Sequence, residues 1–391
     1  MGSLFAELAR QAPANARREI DAYARDVPEF AAVERDTRAR AEALDYAVWF
    51  RRRTIELSPQ NGVLTDGDLD YIASMGELRA NAGMSLASRQ QVLSIHTELM
   101  LREIDEATRA RSAGSLDELM RVMGWFAPQG ERGIDAYCRG FVTVLRRRMP
   151  FAAQAALLAK ALLSDDPMAK ELARVVDVEL ADTYAVVVIR VPDRPGDDRD
   201  LDDVVEALVR AHRTPAFWNA DHTGRGGELI ALLPDGPHLP DVAGDFAASL
   251  GHPCAAGTAT GPRTDLADAL DRARRISRTA PLHRAPARVR PRSLADVFVE
   301  LAVADAPFTD AWLKGIAREL APGPDLLLTL DAYYHCDMNR ALTATALNVH
   351  PRTLDYRLRR VRDLTGLDPA STRGVRILST VVTRSLSGAW R

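Results

Sequence analysis

Long cations, a hydroxyl and a phenol share one side of a predicted helix near the C-terminus. This polar face consists of Arg352, Thr353, Tyr356, Arg359 and Arg360. Arginine pairs with guanine edges in the major groove of DNA, and the hydroxyls of threonine and tyrosine reach bases or phosphates. The residue types and their helical spacing therefore predict a helix that reads double-stranded DNA.

The element that would position this face is a helix-turn-helix at residues 339–363. Asn348 is one of the few non-glycine residue types that tolerate the left-handed backbone of a tight turn. Pro351 has the preset φ of a first helical residue, so a second helix can begin there. Apolar side chains from both helices are expected to pack together, namely Ala344, Leu347, Leu354, Leu358 and Val361.

The charge of this segment differs from that of the whole chain. Residues 339–391 contain ten arginines and three aspartates, a net charge of +7, whereas the formal net charge of the chain is -3. A concentration of positive charge in one domain is typical of proteins that bind phosphate backbones. The segment is therefore expected to bind nucleic acid.

The motif residues themselves resemble a known family. The run Val349 to Leu354, followed by Tyr356-Arg357-Leu358 and by Leu364-Thr365-Gly366-Leu367, is similar to the C-terminal DNA-binding domain of the PucR/CdaR family of bacterial transcription regulators. The resemblance implies a DNA-binding helix-turn-helix. The candidate DNA-binding residues are His350, Arg352, Thr353, Tyr356, Arg357, Arg359, Arg360 and Arg373.

Length and composition limit the domain number and the class of protein to which the chain can belong. A chain of 391 residues is too long for one core, so two or three domains are expected. No run of apolar residues is long enough to span a membrane, and the N-terminus does not fit a secretory signal. The three cysteines are widely separated, which supports neither a disulfide framework nor a zinc site. We expect a soluble, cytoplasmic protein without a resident metal or cofactor.

Residues 1–165 are predicted to form an all-helical input domain. Apolar residues recur at helical spacing, and breaks are expected at Ser58–Gly62, Asn81–Met84, Ser112–Gly114 and Pro128–Gly130. The helix order resembles helical sensor-type domains, of the kind seen in stressosome co-antagonists, that are fused to PucR-like regulators.

Two features of this domain allow a second interpretation. His96 has the apolar neighbours Ile95 and Leu99, which favours a core histidine over a haem or metal ligand. The aromatic pairs Trp49-Phe50 and Trp125-Phe126 are more typical of a helical core than of a ligand pocket.

Residues 170–282 are predicted to form an α+β domain. Strands are expected at 185–191, 216–219, 228–233 and 255–260, and helices at 201–212, 239–250 and 266–279. The resulting βαββαβα order is ferredoxin-like. It resembles the degenerate GGDEF-like domain in the middle of PucR/CdaR regulators.

The run Arg225-Gly226-Gly227-Glu228 lies where a nucleotide cyclase would carry its signature. Two-metal phosphoryl transfer needs carboxylates on the first strand and a paired acid on the hairpin. The first strand offers Arg190 and a later Asp193, and Leu229 occupies the place of the second acid. We therefore predict that this domain has no catalytic residues. Binding of a nucleotide without catalysis is kept as an alternative.

Residues 283–391 are predicted to hold a linker and the helical DNA-binding domain. The segment Ala280–Ser293 contains three prolines and four arginines, which is typical of a stiff basic linker. Helices are expected at 294–303, 309–320 and 326–335, with Asp325 as the N-cap of the third.

Taken as a whole, the sequence predicts a mainly α, multidomain transcription regulator that binds double-stranded DNA as a homodimer or higher homo-oligomer. It is expected to respond, through its N-terminal or middle domain, to an unidentified effector, for which a small molecule is one candidate. Two alternatives remain. One is a stress-signalling interaction module with residual DNA binding, and the other is a nucleotide-processing enzyme that uses the GGDEF-like domain.

Overall fold

The chain divides into two compact units in the computed structural model. One unit is Met1–Pro150 with Asp166–Val176, and the other is Phe151–Asp165 with Asp177–Arg391. The structure describes residues 3–30, 36–109, 116–193, 198–222, 224, 226–235 and 241–390. Within these residues the chain is mainly helical with one four-stranded sheet, so the predicted mainly α, multidomain fold is confirmed.

The N-terminal part of the chain is helical throughout its described residues. Its helices are α1 (Leu4–Asp26), α2 (Thr37–Leu57), α3 (Asp66–Asn81), α4 (Leu86–Arg109), α5 (Leu116–Arg148), α6 (Phe151–Leu163) and α7 (Ala169–Val176). Thr65 and Asp68 form a capping box that starts α3. The breaks predicted at Ser58–Gly62 and Asn81–Met84 fall at the ends of α2 and α3, and Ser112–Gly114 lies outside the described residues.

Helices α3 and α5 pack against each other at backbone distance. A Cβ on Gly140 would lie 1.9 Å from the carbonyl oxygen of Ala73, and one on Gly76 would lie 2.1 Å from that of Tyr137. Only glycine fits at these two crossings.

The break predicted at Pro128–Gly130 is wrong, because α5 continues through Pro128. A proline inside a helix costs about 3 kcal/mol, since one backbone hydrogen bond is lost and the ring crowds the preceding turn. Packing offsets this cost here. The helix buries Trp125 and Gln129 on either side of the proline, and the Gln129 side chain accepts a hydrogen bond from the Leu64 N–H at 3.0 Å.

The middle of the chain contains the sheet. Its elements are β1 (Thr183–Val191), α8 (Asp198–His212), β2 (Ala216–Ala220), β3 (Gly227–Pro234), α9 (Val242–Leu250), β4 (Ala255–Pro262) and α10 (Leu266–Thr279). The strand order is β2-β3-β1-β4 with every pair antiparallel, which is the ferredoxin-like arrangement predicted from the element order. Strand β1 is central and buried from Tyr184 to Ile189.

The predicted domain bounds of 1–165, 170–282 and 283–391 remain a prediction. Helix α6 groups with the second unit, where it packs on β2 and α8. Two contacts fix it: the Lys160 ammonium lies 5.2 Å from the centre of the Phe217 ring, and Glu206 accepts from the Ala152 N–H at 2.8 Å.

The segment Ala280–Ser293 is docked on the sheet instead of forming a free spacer. The backbone of His283 exchanges two hydrogen bonds with that of Cys254, at 2.9 and 3.0 Å. Further along, Arg292 donates to the carbonyl of Ala256 at 2.9 Å and accepts from the Thr258 N–H at 2.8 Å. Strand β4 is an edge strand, and its unpaired N–H and C=O groups capture the passing chain.

The C-terminal helices are α11 (Leu294–Ala304), α12 (Pro307–Leu320), α13 (Leu326–His335), α14 (Arg340–Ala346), α15 (Pro351–Thr365) and α16 (Thr372–Leu386). They share one core, in which Leu313, Leu330, Leu354, Val361 and Leu378 are buried. Asp325 is the N-cap residue of α13, as predicted, but its side chain makes no capping hydrogen bond. The carboxylate pairs instead with Arg357 at 3.3 Å.

No helix among the described residues combines the length and the apolarity required to cross a bilayer. The same residues contain no cluster of three or more histidine, cysteine or acidic side chains arranged to hold a metal ion.

Candidate nucleic-acid interface

The turn between α14 and α15 has the geometry that the sequence predicts. Asn348 has φ 49°, the left-handed conformation expected of it. Its N–H donates to the carbonyl of Thr345, and the N–H of Val349 donates to that of Ala344, both at 3.0 Å. These two hydrogen bonds satisfy the last carbonyl groups of α14, so the helix ends at this turn.

Helix α15 begins with a histidine cap followed by proline. The Nδ1 atom of His350 accepts a hydrogen bond from the Arg352 N–H at 3.2 Å, and Pro351 is the first helical residue. An imidazole that accepts at Nδ1 has Nε2 as its donor. His350 is one of the residues predicted to contact DNA. Its side chain is exposed at the N-terminus of α15, which it also caps.

The two faces of α15 have opposite character. Its apolar stripe of Leu354, Leu358 and Val361 is buried and packs with Ala344 and Leu347 in the shared core, as predicted. On the other face the side chains of Arg352, Thr353, Tyr356 and Arg359 are exposed, and Arg360 is half-buried. The structure therefore brings five of the predicted residues together on one outward surface, hereafter the polar face of α15.

Arg357 lies away from the polar face. Its side chain is 14 % exposed and donates to the hydroxyl of Thr329 at 3.1 Å and to the carboxylate of Asp325 at 3.3 Å. The sequence does contain the signal for this placement. Arg357 is three residues after Leu354 and four before Val361, which are both buried, so helical spacing puts it beside the apolar stripe.

Arg373 is exposed in the first turn of α16. The next residue, Gly374, lies so close to the preceding turn that a Cβ would be 1.8 Å from the carbonyl oxygen of Asp368. Another exposed cation, Arg340 at the start of α14, was not among the predicted residues. It pairs with Asp355 of α15 at 3.3 Å, a relationship between two helices that spacing along one helix does not reveal.

Glu228, Leu229 and Gly227 of the cyclase-like run make packing or ion-pair contacts within the sheet domain. Glu228 pairs with Arg274 of α10 at 2.9 Å, and Leu229 is fully buried. A Cβ on Gly227 would lie 2.4 Å from the ring of Trp218, so this glycine is required for packing. Arg225 lies outside the described residues.

His96, in the N-terminal helical unit, is part of a buried polar network. Its Nδ1 lies 2.9 Å from Glu19, which also accepts from Arg51 at 2.6 Å, and its ring packs edge-on against Phe50. Burial alone would raise the pKa of Glu19, but His96 and Arg51 hold that pKa below its ordinary value. Trp125 is also buried, and its indole donates to the carbonyl of Gly62 at 2.5 Å.

Known protein families match two parts of the chain. Residues 326–380 match the PucR C-terminal helix-turn-helix domain, and residues 161–280 match a GGDEF-like domain. The first match covers α13 to α15 and most of α16, and the second covers the whole sheet.

Individual proteins show similarity over different lengths. Uncharacterized proteins of Mycobacterium bovis and Mycobacterium tuberculosis are each 41% identical over 80 residues, which is 20% of this chain and 19% of theirs. The chain thus matches about a fifth of the length of these curated relatives. A solved structure, described as a regulator of polyketide synthase expression from Bifidobacterium adolescentis, is 16% identical with a TM-score of 0.28, over 61% of this chain and 95% of that one.

The family matches fall on the residues from which the resemblance was recognised in the sequence. The chain carries a PucR C-terminal helix-turn-helix domain preceded by a GGDEF-like domain.

Proposed function

We propose that α15 enters the major groove of double-stranded DNA, with Arg352, Thr353 and Tyr356 nearest the base edges. The observation that supports this is the exposure of all three side chains on the polar face, opposite a stripe that is fixed in the core. They lie in the first two turns of α15, and the N-terminal part of a recognition helix is the part that approaches the bases.

The cations further along contact phosphates in this proposal. Arg359 and Arg360 follow on α15, Arg373 lies on the next helix, and His350 stands at the N-terminus of α15. Contacts to phosphate fix the register of a protein on the duplex without reading its sequence. Arg357 then has a positioning role, because its bonds to Thr329 and Asp325 hold α15 against α13.

The protein as a whole acts in the cytoplasm as a sequence-specific regulator of transcription. Residues 1–165 receive a small-molecule effector, and the GGDEF-like domain transmits the signal without catalysis. Support for transmission comes from the docked segment Ala280–Ser293, whose hydrogen bonds to β4 join this domain to the DNA-binding helices.

A salt titration with duplex DNA tests the phosphate contacts. Each of Arg359→Ala, Arg360→Ala and Arg373→Ala should reduce the slope of log affinity against log salt concentration by about one unit, because each removes one released counterion. Arg318→Ala is the matched control, since this exposed arginine on α12 lies outside the proposed interface. Its slope should equal that of the unaltered protein.

The same titration separates the proposal from its main alternative. An interaction module with residual DNA binding would show no salt-sensitive affinity for any duplex. Unchanged slopes in the three variants would show that these arginines do not contact phosphates.

A further inference from the structure

The first acidic residue of α15 lies between exposed arginines. Asp355 comes three residues after Arg352 and four residues before Arg359, so helical spacing places both cations next to it. A carboxylate beside a surface that binds phosphate is repelled by the duplex. Asp355 should therefore weaken DNA binding unless it has a second effect there.

Asp355 contacts one arginine on each of the two helices of the motif. Its carboxylate pairs with Nη1 of Arg340, the first residue of α14, at 3.3 Å. Its backbone carbonyl accepts a hydrogen bond from Nε of Arg359 at 3.4 Å. Within the part of the chain that the structure describes, the carboxylate pairs with neither Arg352 nor Arg359 of its own helix. Asp355 thus joins a cation of α14 to a cation of α15.

The stability of the fold does not account for the pair of Arg340 and Asp355. Their side chains are 63% and 46% exposed, and exposed ion pairs contribute little to the free energy of unfolding. Helices α14 and α15 are already held together in the core by Ala344, Leu354 and Leu358. The pair therefore leaves room for a role outside folding.

A guanidinium that is paired on one side still has donors for a second anion. Arginine has five N–H donors in a planar group, and Asp355 is paired through Nη1 of Arg340 alone. The remaining donors can bind a phosphate. A side chain that is held in place beforehand also loses less conformational freedom when it binds.

We propose that Asp355 is a positioning residue that holds Arg340 beside Arg359, so that both guanidinium groups contact the phosphate backbone of DNA. This inference rests on the proposed function, in which α15 enters the major groove and Arg359 contacts phosphate. It adds a phosphate contact from α14, the other helix of the motif. It also explains why an acid lies within a phosphate-binding surface.

A salt titration with a fluorescently labelled duplex of random sequence tests the contact from Arg340. Arg340→Ala should weaken binding by about 10-fold at low salt, as expected for one charged hydrogen bond. The slope of log affinity against log salt concentration should fall by about one unit. Arg318→Ala, on α12, is the control and should keep the slope of the unaltered protein.

Replacement of the carboxylate tests the positioning role. Asp355→Ala should weaken binding by about 3-fold although it removes a negative charge, because Arg340 must then be ordered at the moment of binding. Repulsion alone predicts the opposite sign. In an Arg340→Ala background the same replacement should strengthen binding, since only the repulsion is left to remove. Asp355→Glu, which keeps a carboxylate within reach of Arg340, should bind about as well as the unaltered protein.

Two results would overturn the inference. One is an Arg340→Ala protein with an unchanged salt slope, and the other is tighter binding by Asp355→Ala in both backgrounds. Because the pair is exposed, circular dichroism and the melting temperature should be the same in all variants, which separates the effect on binding from an effect on folding.

Arg352→Ala distinguishes failure of this inference from failure of the proposed function. If Arg352→Ala weakens binding while Arg340→Ala does not, α15 contacts DNA and the positioning role is refuted. If no variant of either helix changes the affinity for the duplex, the proposed docking of α15 fails as well.

Discussion

The guanidinium of Arg190, on the central strand of the GGDEF-like domain, donates a hydrogen bond of 3.0 Å to the carbonyl of Ser387 at the end of α16. Its Nε donates to the carbonyl of Ser277 at 3.2 Å. Beside it, the N–H of Leu282 donates to the carbonyl of Leu386 at 3.0 Å. A cation at a helix C-terminus offsets the partial negative charge of the last carbonyls. Arg190 thereby joins the sheet directly to the DNA-binding domain.

Replacing Arg190 with alanine should lower the free energy of unfolding by about 1–3 kcal/mol, because the partly buried carbonyls of Ser277 and Ser387 lose a charged donor. Urea denaturation measures the effect. Arg272→Ala is the control: this arginine of α10 pairs with Asp268 and donates to the carbonyl of Thr260, but both contacts are exposed to solvent, where such contacts contribute about 0–1 kcal/mol. Equal losses in the two variants would show that Arg190 contributes no more to the free energy of unfolding than an exposed arginine does.

Gly140→Ala should destabilise the N-terminal unit by at least about 2 kcal/mol, because the new Cβ collides with the backbone of α3. Gly130→Ala, on the same helix, has no atom within 4 Å of its new Cβ. That change should stabilise the protein by about 0.5–1 kcal/mol through helix propensity. Thermal unfolding of both variants decides the matter, and a neutral Gly140→Ala would contradict the close crossing.

Local chemistry made much of the fold predictable. The bounds of α13 and α10 match the prediction because the apolar periodicity and the flanking breakers agree there. The turn at Asn348 was predictable because few residue types adopt a positive φ. Information of this kind lies within a few residues of the element it specifies.

The errors arise where a distant partner outweighs a local rule. Pro128 does not end α5, because packing against other helices offsets the lost hydrogen bond. Asp325 holds the predicted N-cap position, but its side chain pairs with Arg357, 32 residues further along the chain, instead of capping the helix. The docking of Ala280–Ser293 on β4 was likewise unpredictable from composition, because it depends on which strand of the sheet is at the edge.

Stability should fall as the pH drops below 6.5 through the titration of His283. Burial lowers the pKa of His283 below its ordinary value of 6.5, and Arg288, Arg292 and His335 act in the same direction against Asp331. The unfolded chain therefore binds a proton more readily than the folded chain between the lowered pKa and 6.5. His283→Gln should make the free energy of unfolding less dependent on pH in this range. Urea denaturation at pH 7.5 and 5.5 tests this, and identical pH dependence in both proteins would count against it.

Glu228→Gln should leave nucleotides unprocessed, as in the unaltered protein, because Glu228 is held by Arg274 and the buried Leu229 occupies the place of the second acid. The test incubates both proteins with GTP or ATP and Mg²⁺ and separates the products. Two-metal chemistry requires carboxylates for each ion. Steady formation of a cyclic product that disappears in Glu228→Gln would support the enzyme alternative instead.

Selection of bound duplexes from a random pool, with the unaltered protein and with Arg352→Ala, tests the central claim most directly. The claim is that the polar face of α15 reads bases. Arg352→Ala should lose about 1–3 kcal/mol of affinity for the selected sequence and should relax the preference at one base pair. Arg359→Ala should weaken all duplexes about equally and keep the selected sequence. An Arg352→Ala protein that selects the same sequence with the same affinity would contradict the account.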